Sequence, residues 1–211
     1  MDFQNNRLEP VDPFACRRCG TCCRKGGAAF HLADRPLIEK GTIALRHLFT
    51  IRKGERVSDP IRGAVLPVDA ELIKLRGGRN TWTCTFFDEQ DVSCRIYTDR
   101  PLECRLLKCW DTAELEEIYA RDRLTRRHLL EGVAGLWDLV TEHEARCSYA
   151  KLGELMAQFE SGRQKKTENA VAEIVAYDRH LRRLTVEKGR IDSEILDFLF
   201  GRPLHKTLKM F

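Results

Sequence analysis

Four cysteines crowd one short string, Cys16-Arg-Arg-Cys19-Gly-Thr-Cys22-Cys23, and four more follow at Cys84, Cys94, Cys104 and Cys109. Thiolates are soft donors that suit zinc and iron–sulfur clusters. Two-residue gaps let neighbouring thiolates converge on one ion across a tight turn, and Gly20 can supply the positive φ such a turn often needs. The C-x2-C-x2-C portion also has the spacing that holds three corners of a 4Fe–4S cluster. Cys23, however, directly follows Cys22, where the ferredoxin pattern has three residues and then Cys-Pro. Adjacent side chains diverge, so Cys22 and Cys23 are suited to different metals. All eight cysteines are candidate metal ligands.

The second four are separated by nine, nine and four residues. Cys104-Arg-Leu-Leu-Lys-Cys109 has a helical or turn spacing that can place both sulfurs on one side, and Arg100-Pro101 sets how the chain enters it. A disulfide framework is the competing reading. It fits poorly, because the total of nine is odd and no export signal precedes the cysteines. The ninth, Cys147, falls on an apolar helical stripe and is expected to be a buried core residue.

Composition narrows the classes of function. The chain has 211 residues, 43% of them hydrophobic and 32% charged. No apolar run approaches the ~20 residues of a membrane span, so no membrane partner is expected. The N-terminus lacks a basic patch followed by an apolar stretch, and a cytoplasmic location is the expectation. The formal charge of +4 invites a nucleic-acid reading. That charge is offset once bound cysteines count as thiolates: eight of them with two divalent ions bring the total to about zero. Arg17, Arg18, Arg24, Lys25, Arg95, Arg105 and Lys108 flank the cysteines, and their simplest role is to balance thiolate charge. Nucleic acid is therefore not the expected partner; a metal ion is, with a protein partner left open.

The string Phe14-x-Cys16-x-x-Cys19-Gly20-x-Cys22-Cys23, then Cys84-x-Phe86, then Cys94-Arg95-Ile96-Tyr97-x-x-Arg100-Pro101-x-x-Cys104-Arg105-x-x-x-Cys109, resembles the YkgJ-like CxxCxxCC family. All eight cysteines of the pattern are present, over residues 14–110. The resemblance implies a zinc- or iron-chelating protein. The terminal Phe198-Leu-Phe-Gly-Arg-Pro-Leu is similar to longer members. More distantly, the cysteine motif resembles that of flagellin lysine N-methylases, which implies an iron–sulfur option and a methyl-transfer role.

The elements that must position these residues divide the chain into a polar lead-in (1–15), a cysteine-cluster domain (16–110) and a helical C-terminal region (111–211). In the second stretch, Asp34 is expected to cap a short helix that starts near Pro36 and ends before Gly41. Asp69 is expected to cap another through Leu75, stopped by Gly77-Gly78. Thr81–Phe87 and Ser93–Tyr97, joined by Asp88-Glu89-Gln90-Asp91, read as a β-hairpin with Cys84 and Cys94 on opposite arms, near enough to share one metal. In the third, Asp111 with Glu114 fits a capping box. Leu129, Val133, Leu136, Trp137 and Val140 share an apolar face, and Leu152, Leu155, Met156 and Phe159 repeat the pattern. Ser161-Gly162 and the polar run to Asn169 read as a linker. A helix over 170–187 turns Val171, Ile174, Val175, Leu181 and Leu184 inward, and Asp192 caps a last one over 193–200. The fold class is α+β, mainly α: a small, irregular, metal-stapled cysteine domain with a short hairpin, packed on helices.

Catalysis finds little support. A closed all-thiolate zinc site does no chemistry, and no H-E-x-x-H occurs. His31 and His47 are candidate second-shell or fourth ligands but read more simply as satisfied histidines. Gly26-Gly27 and Gly77-Gly78 match no phosphate loop and read as turns. Glu116-Glu117 reads as a solvated helix face. The metal assignment stays open between two four-cysteine zinc sites, one 4Fe–4S cluster with four cysteines to spare, and a single ion with spare thiols. The first trio leans to iron–sulfur, and a fully closed pairing leans to zinc. Three functions follow: a zinc- or iron-chelating module whose metal is structural, stored or handed on; an iron–sulfur enzyme of redox or methyl transfer; and a zinc-stabilised module for protein contact.

Overall fold

A computed structural model describes residues 18–59, 62–78, 81–160 and 164–208, without the side chains of 159, 160 and 164. Cys16, Arg17 and the 1–15 lead-in lie outside the described residues, as do Ser161-Gly162 and the Phe159 side chain. In chain order the elements are α1 (Thr21–Arg24), α2 (Arg35–Glu39), β1 (Leu48–Ile51), β2 (Arg56–Asp59), β3 (Ala64–Pro67), β4 (Leu72–Leu75), β5 (Phe87–Asp88) and β6 (Ser93–Cys94). Then follow α3 (Leu102–Leu106), α4 (Ala113–Ile118), α5 (Arg126–Leu130), α6 (Leu136–Cys147), α7 (Tyr149–Glu160), α8 (Gln164–Glu187), α9 (Leu196–Phe200) and α10 (Leu204–Thr207). About half is helical and the strands form small antiparallel pairs, an α+β, mainly α, architecture.

The centre of the first half is a strand pair, not the helix expected after Asp69. Leu48 to Ile51 of β1 run opposite Leu75 to Leu72 of β4. Ile73 and Leu75 alternate inward, at 0% and 2% exposure. A four-residue segment with β-branched Ile73 gains more from pairing and one-sided burial than from a single helical turn. Ala28–Phe30 lies along the other edge of β4: Phe30 N–H donates to Ile73 O at 2.9 Å and Leu75 N–H to Ala28 O at 2.9 Å. Gly27 permits this approach, since a Cβ there would stand 2.3 Å from Leu75 Cβ. β2 and β3 form a hairpin between β1 and β4.

The short helix after Asp34 is present, but Asp34 does not cap it. Its carboxylate instead accepts His31 N–H and, across 68 residues, Leu102 N–H at 2.7 Å. The Asp111–Glu114 capping box is likewise absent: Thr112 is the N-cap residue of α4 and makes no side-chain cap, Asp111 accepts Ala113 N–H, and Glu114 pairs with Lys108. The apolar face over 129–140 is split between α5 and α6 by a turn holding Gly132 and Gly135, the latter at φ 76°. Val133 in that turn is 47% exposed. The polar run Gln164–Asn169 is helix, the first turns of α8, since Gln, Lys and Glu are good helix formers. Asp192 does cap the last helical segment, accepting Glu194 N–H at 2.9 Å.

One hydrophobic core joins the two halves: Phe30, Ile73 and Leu75 cluster with Leu130, Val140 and Phe198–Phe200. A second gathers Cys147, Tyr149, Leu152, Ile174 and Leu204 between α6, α7, α8 and α10. Buried ions thread between them. Arg126, 2% exposed, donates to Glu71 at 2.9 Å, Glu144 at 2.8 Å and Leu199 O at 2.6 Å. On α8 the inward stripe of Ile174 and Leu181 also carries Asp178 and Arg182, bonded to each other at 2.9 Å. Among the described residues no helix is long and apolar enough to cross a membrane.

Candidate metal centre

The cysteine motif turns at Gly20, whose φ of 75° starts α1. Phe87 fills the space a side chain there would need, with its ring 2.1 Å from an ideal Cβ. Arg24 N–H closes the turn onto Gly20 O at 2.9 Å. Cys22 and Cys23 thus sit on one helical turn, packed over β5.

Backbone bonds tie the second group to the first. Cys84 N–H donates to Cys23 O at 2.8 Å, and Phe87 N–H to Cys84 O at 2.9 Å. The expected hairpin is present but only two residues long on each arm, with Cys94 opposite Phe87. Cys84 lies just before it, bridged to Gly77. Cys104 is in the middle of α3. That helix is anchored at Leu102 by Asp34 and at Glu103, which accepts Ala29 N–H at 2.7 Å and pairs with Arg123 at 2.6 Å. Cys109 lies beyond α3, in the turn closed between Lys108 and Asp111.

Exposure grades the thiols: Cys84 is buried, Cys23, Cys94 and Cys104 are intermediate, and Cys19, Cys22 and Cys109 are exposed. Cys147 is fully buried, far along the chain, with its thiol 3.9 Å from Ile174 O.

The thiols of Cys19, Cys22, Cys23, Cys84, Cys94 and Cys104 lie near enough for the charge of one to act on another. Burial pushes the Cys104 thiol up to about 12, and the charges of Cys84, Cys22 and Cys94 push the same way. Cys84 is raised by burial and then by Cys94 and Cys22. The adjacent thiols of Cys22 and Cys23 shift each other in opposite directions. Contact with Cys23, helped by Arg100, lowers Cys22 against its burial, while contact with Cys22, burial and the charges of Cys84 and Cys104 raise Cys23. Cys19 is lowered by its bond with Thr21. Among the described residues, no three His, Cys, Asp or Glu side chains already converge as a ligand set.

His31 and His47 are both engaged within the fold. His31, 2% exposed, contacts Arg121 O through Nδ1 at 2.9 Å and Arg123 through Nε2 at 3.1 Å. The His47 ring packs on Phe86 with centroids 4.9 Å apart. Glu116 and Glu117 are exposed, and Gly77 lies in a bridge where a Cβ would meet Thr81 O at 2.4 Å. Sequence reasoning missed the cationic clasp on Tyr97: the Arg100 and Arg18 guanidiniums stand 3.7 Å and 4.2 Å from its centroid. Arg100-Pro101 was legible only as a chain-direction signal, although an arginine three residues after a tyrosine, near thiols, is a usable sign of charge balance. Arg24 is drawn off to Glu89 at 2.9 Å.

A family model described as "CxxCxxCC: Putative zinc- or iron-chelating domain" matches residues 15–125. The chain belongs to this CxxCxxCC family. A search of the curated proteins finds no match, nor does a search of the solved structures.

Proposed function

We propose that this protein chelates zinc or iron through Cys16, Cys19, Cys22, Cys23, Cys84, Cys94, Cys104 and Cys109, and that the metal staples the cysteine segments together or is held in store. The observation that supports it most is the backbone pairing that draws separate cysteine segments together: Cys84 N–H donates to Cys23 O at 2.8 Å, Phe87 N–H donates to Cys84 O at 2.9 Å, and Phe87 is paired with Cys94. Isolated thiols raised by burial and by one another are poorly placed as free thiolates, and a cation removes that penalty. The donor set fits the group: an all-sulfur set with several half-buried members suits zinc or an iron–sulfur cluster and not magnesium or calcium. Each thiol that binds loses its proton, so uptake of metal releases protons. No resident enzyme chemistry is needed by this reading.

The test is metal analysis of the purified chain beside Cys104→Ser. The proposal expects bound zinc or iron in the native chain and a clear loss in the variant. Equal metal content in both would defeat it.

A further inference from the structure

We infer that a cleft walled without a cysteine binds a small organic anion with an apolar body, its anionic head at Lys53 and Arg56 and its body toward Trp137. This site is separate from the metal reading and does not rest on it.

Two adjoining hollows make up the cleft, of about 230 Å³ and about 540 Å³, and Lys53 and Glu144 line both. Together they fall in the size range of small-molecule sites. The narrow end is lined by Trp137, Val140 and Thr141 of α6, with Glu71 and Arg126. The wide end lies between the β2–β3 hairpin and the start of α7, with Arg56, Pro67, Val68 and Tyr149 in its walls.

The turn that leaves β1 explains what faces this space. Glu55 N–H donates to Arg52 O at 3.0 Å, and Gly54 N–H donates to Val68 O at 2.8 Å. The turn buries Arg52 at 0% exposure and leaves Lys53 exposed. Gly54, at φ 81°, lets it press on α7, since a Cβ there would stand 3.0 Å from Tyr149 Cβ.

Charge selects the ligand. The carboxylates packed around the cleft already have cations. Glu71 and Glu144 share Arg126, at 2.6 Å and 2.8 Å, Glu144 also meets Arg52 at 3.4 Å, and Glu55 pairs with Arg202. Among the described residues no ion pair engages Lys53 or Arg56, and the Arg56 guanidinium donates to Val65 O at 3.3 Å. Asp69, also at the wide end, is exposed, so water and salt screen its charge. The wide end therefore favours an anion. The narrow end offers Trp137 beside Val140, a surface for an apolar or aromatic body. Lysine and arginine hold carboxylates and phosphates alike through charge-assisted hydrogen bonds, so the two heads share one chemistry and probes separate them.

The experiment titrates the full chain with phenyl phosphate and with benzoate, followed by saturation-transfer NMR. Binding of at least one probe is expected, and which one binds names the head group. Lys53 is exposed, so Lys53→Ala should fold normally and weaken that binding about tenfold. Lys40→Ala removes the same charge from the end of α2 and should leave binding unchanged. Methyl phosphate and acetate carry the same heads without the ring and should bind more weakly than the aromatic probes. No binding of either aromatic probe, equal affinity in Lys53→Ala and the native chain, equal weakening in Lys40→Ala, or equal affinity for the ring-free anions would each overturn the site.

Discussion

At the scale of single residues, Gly20 and Phe87 together fix the cysteine turn. A methyl group at position 20 meets both a positive φ and the Phe87 ring. Gly20→Ala should therefore lower stability by about 1 kcal/mol from the backbone alone, with more from the displaced ring, and should reduce bound metal. A thermal melt and metal analysis on the same sample check this; unchanged values in both would contradict it. Cys147 is the matching control. It is fully buried among Leu152 and Ile174, so Cys147→Ser should leave metal content unchanged while costing about 1–3 kcal/mol for a buried hydroxyl. Loss of metal in that variant would make Cys147 a ligand. The turn at Gly20 and the burial of Cys147 were both legible in the sequence, because each follows from local spacing. The roles of Asp34 and Asp111 were not: each reads as a cap that the structure does not form. The Asp34 carboxylate serves a backbone amide 68 residues away, and no local pattern announces a partner so distant.

At the scale of elements, the stretch Asp69–Leu75 shows how tertiary pairing overrides a local signal. An aspartate, a few aliphatics and a glycine pair spell a short helix, but β1 and the Ala28–Phe30 edge supply hydrogen bonds on both sides of β4. Ile73 is at the centre of that pairing and fully buried. Ile73→Ala should destabilise the fold by about 2–5 kcal/mol, read from denaturant unfolding, whereas a helix in this place would tolerate alanine well. The long stripes of α6 and α8 were legible because a 3.6-residue period persists over several turns. The ions set into them were not. Arg126 and Arg182 look like solvated residues in the sequence, yet each bonds carboxylates and backbone carbonyls inside the fold. Arg126→Met would leave Glu71 and Glu144 without their shared cation. A loss of about 3–5 kcal/mol is expected, and a variant as stable as the parent would show that this pairing contributes nothing net.

At the scale of the whole molecule, the core shared by the cysteine segments and the C-terminal helices makes its stability sensitive to pH through His143 and Asp178, which meet at 2.8 Å. Burial lowers His143 below its ordinary 6.5 despite its bond to Asp178. The unfolded chain therefore takes up that proton first, and stability falls as pH drops below 6.5, by at most about 1.4 kcal/mol per unit. Asp178 is opposed by burial, but its bonds with His143 and Arg182 prevail and hold it at about 2. Its contribution is complete above the ordinary 3.8 and is lost as pH falls through about 2. Denaturant unfolding of the chelator-treated chain between pH 7 and 5 should show the first loss, and His143→Gln should flatten it. An equal slope in both would remove His143 from the account.

The central claim is that thiols from separate segments hold a metal. Elemental analysis with a UV–visible spectrum, on protein purified without air, tests it most directly. Zinc without visible absorbance, or iron with acid-labile sulfide and a broad visible band, is the predicted result, and which of the two is found names the metal. Protein that folds with its thiols free and carries neither metal would contradict the account.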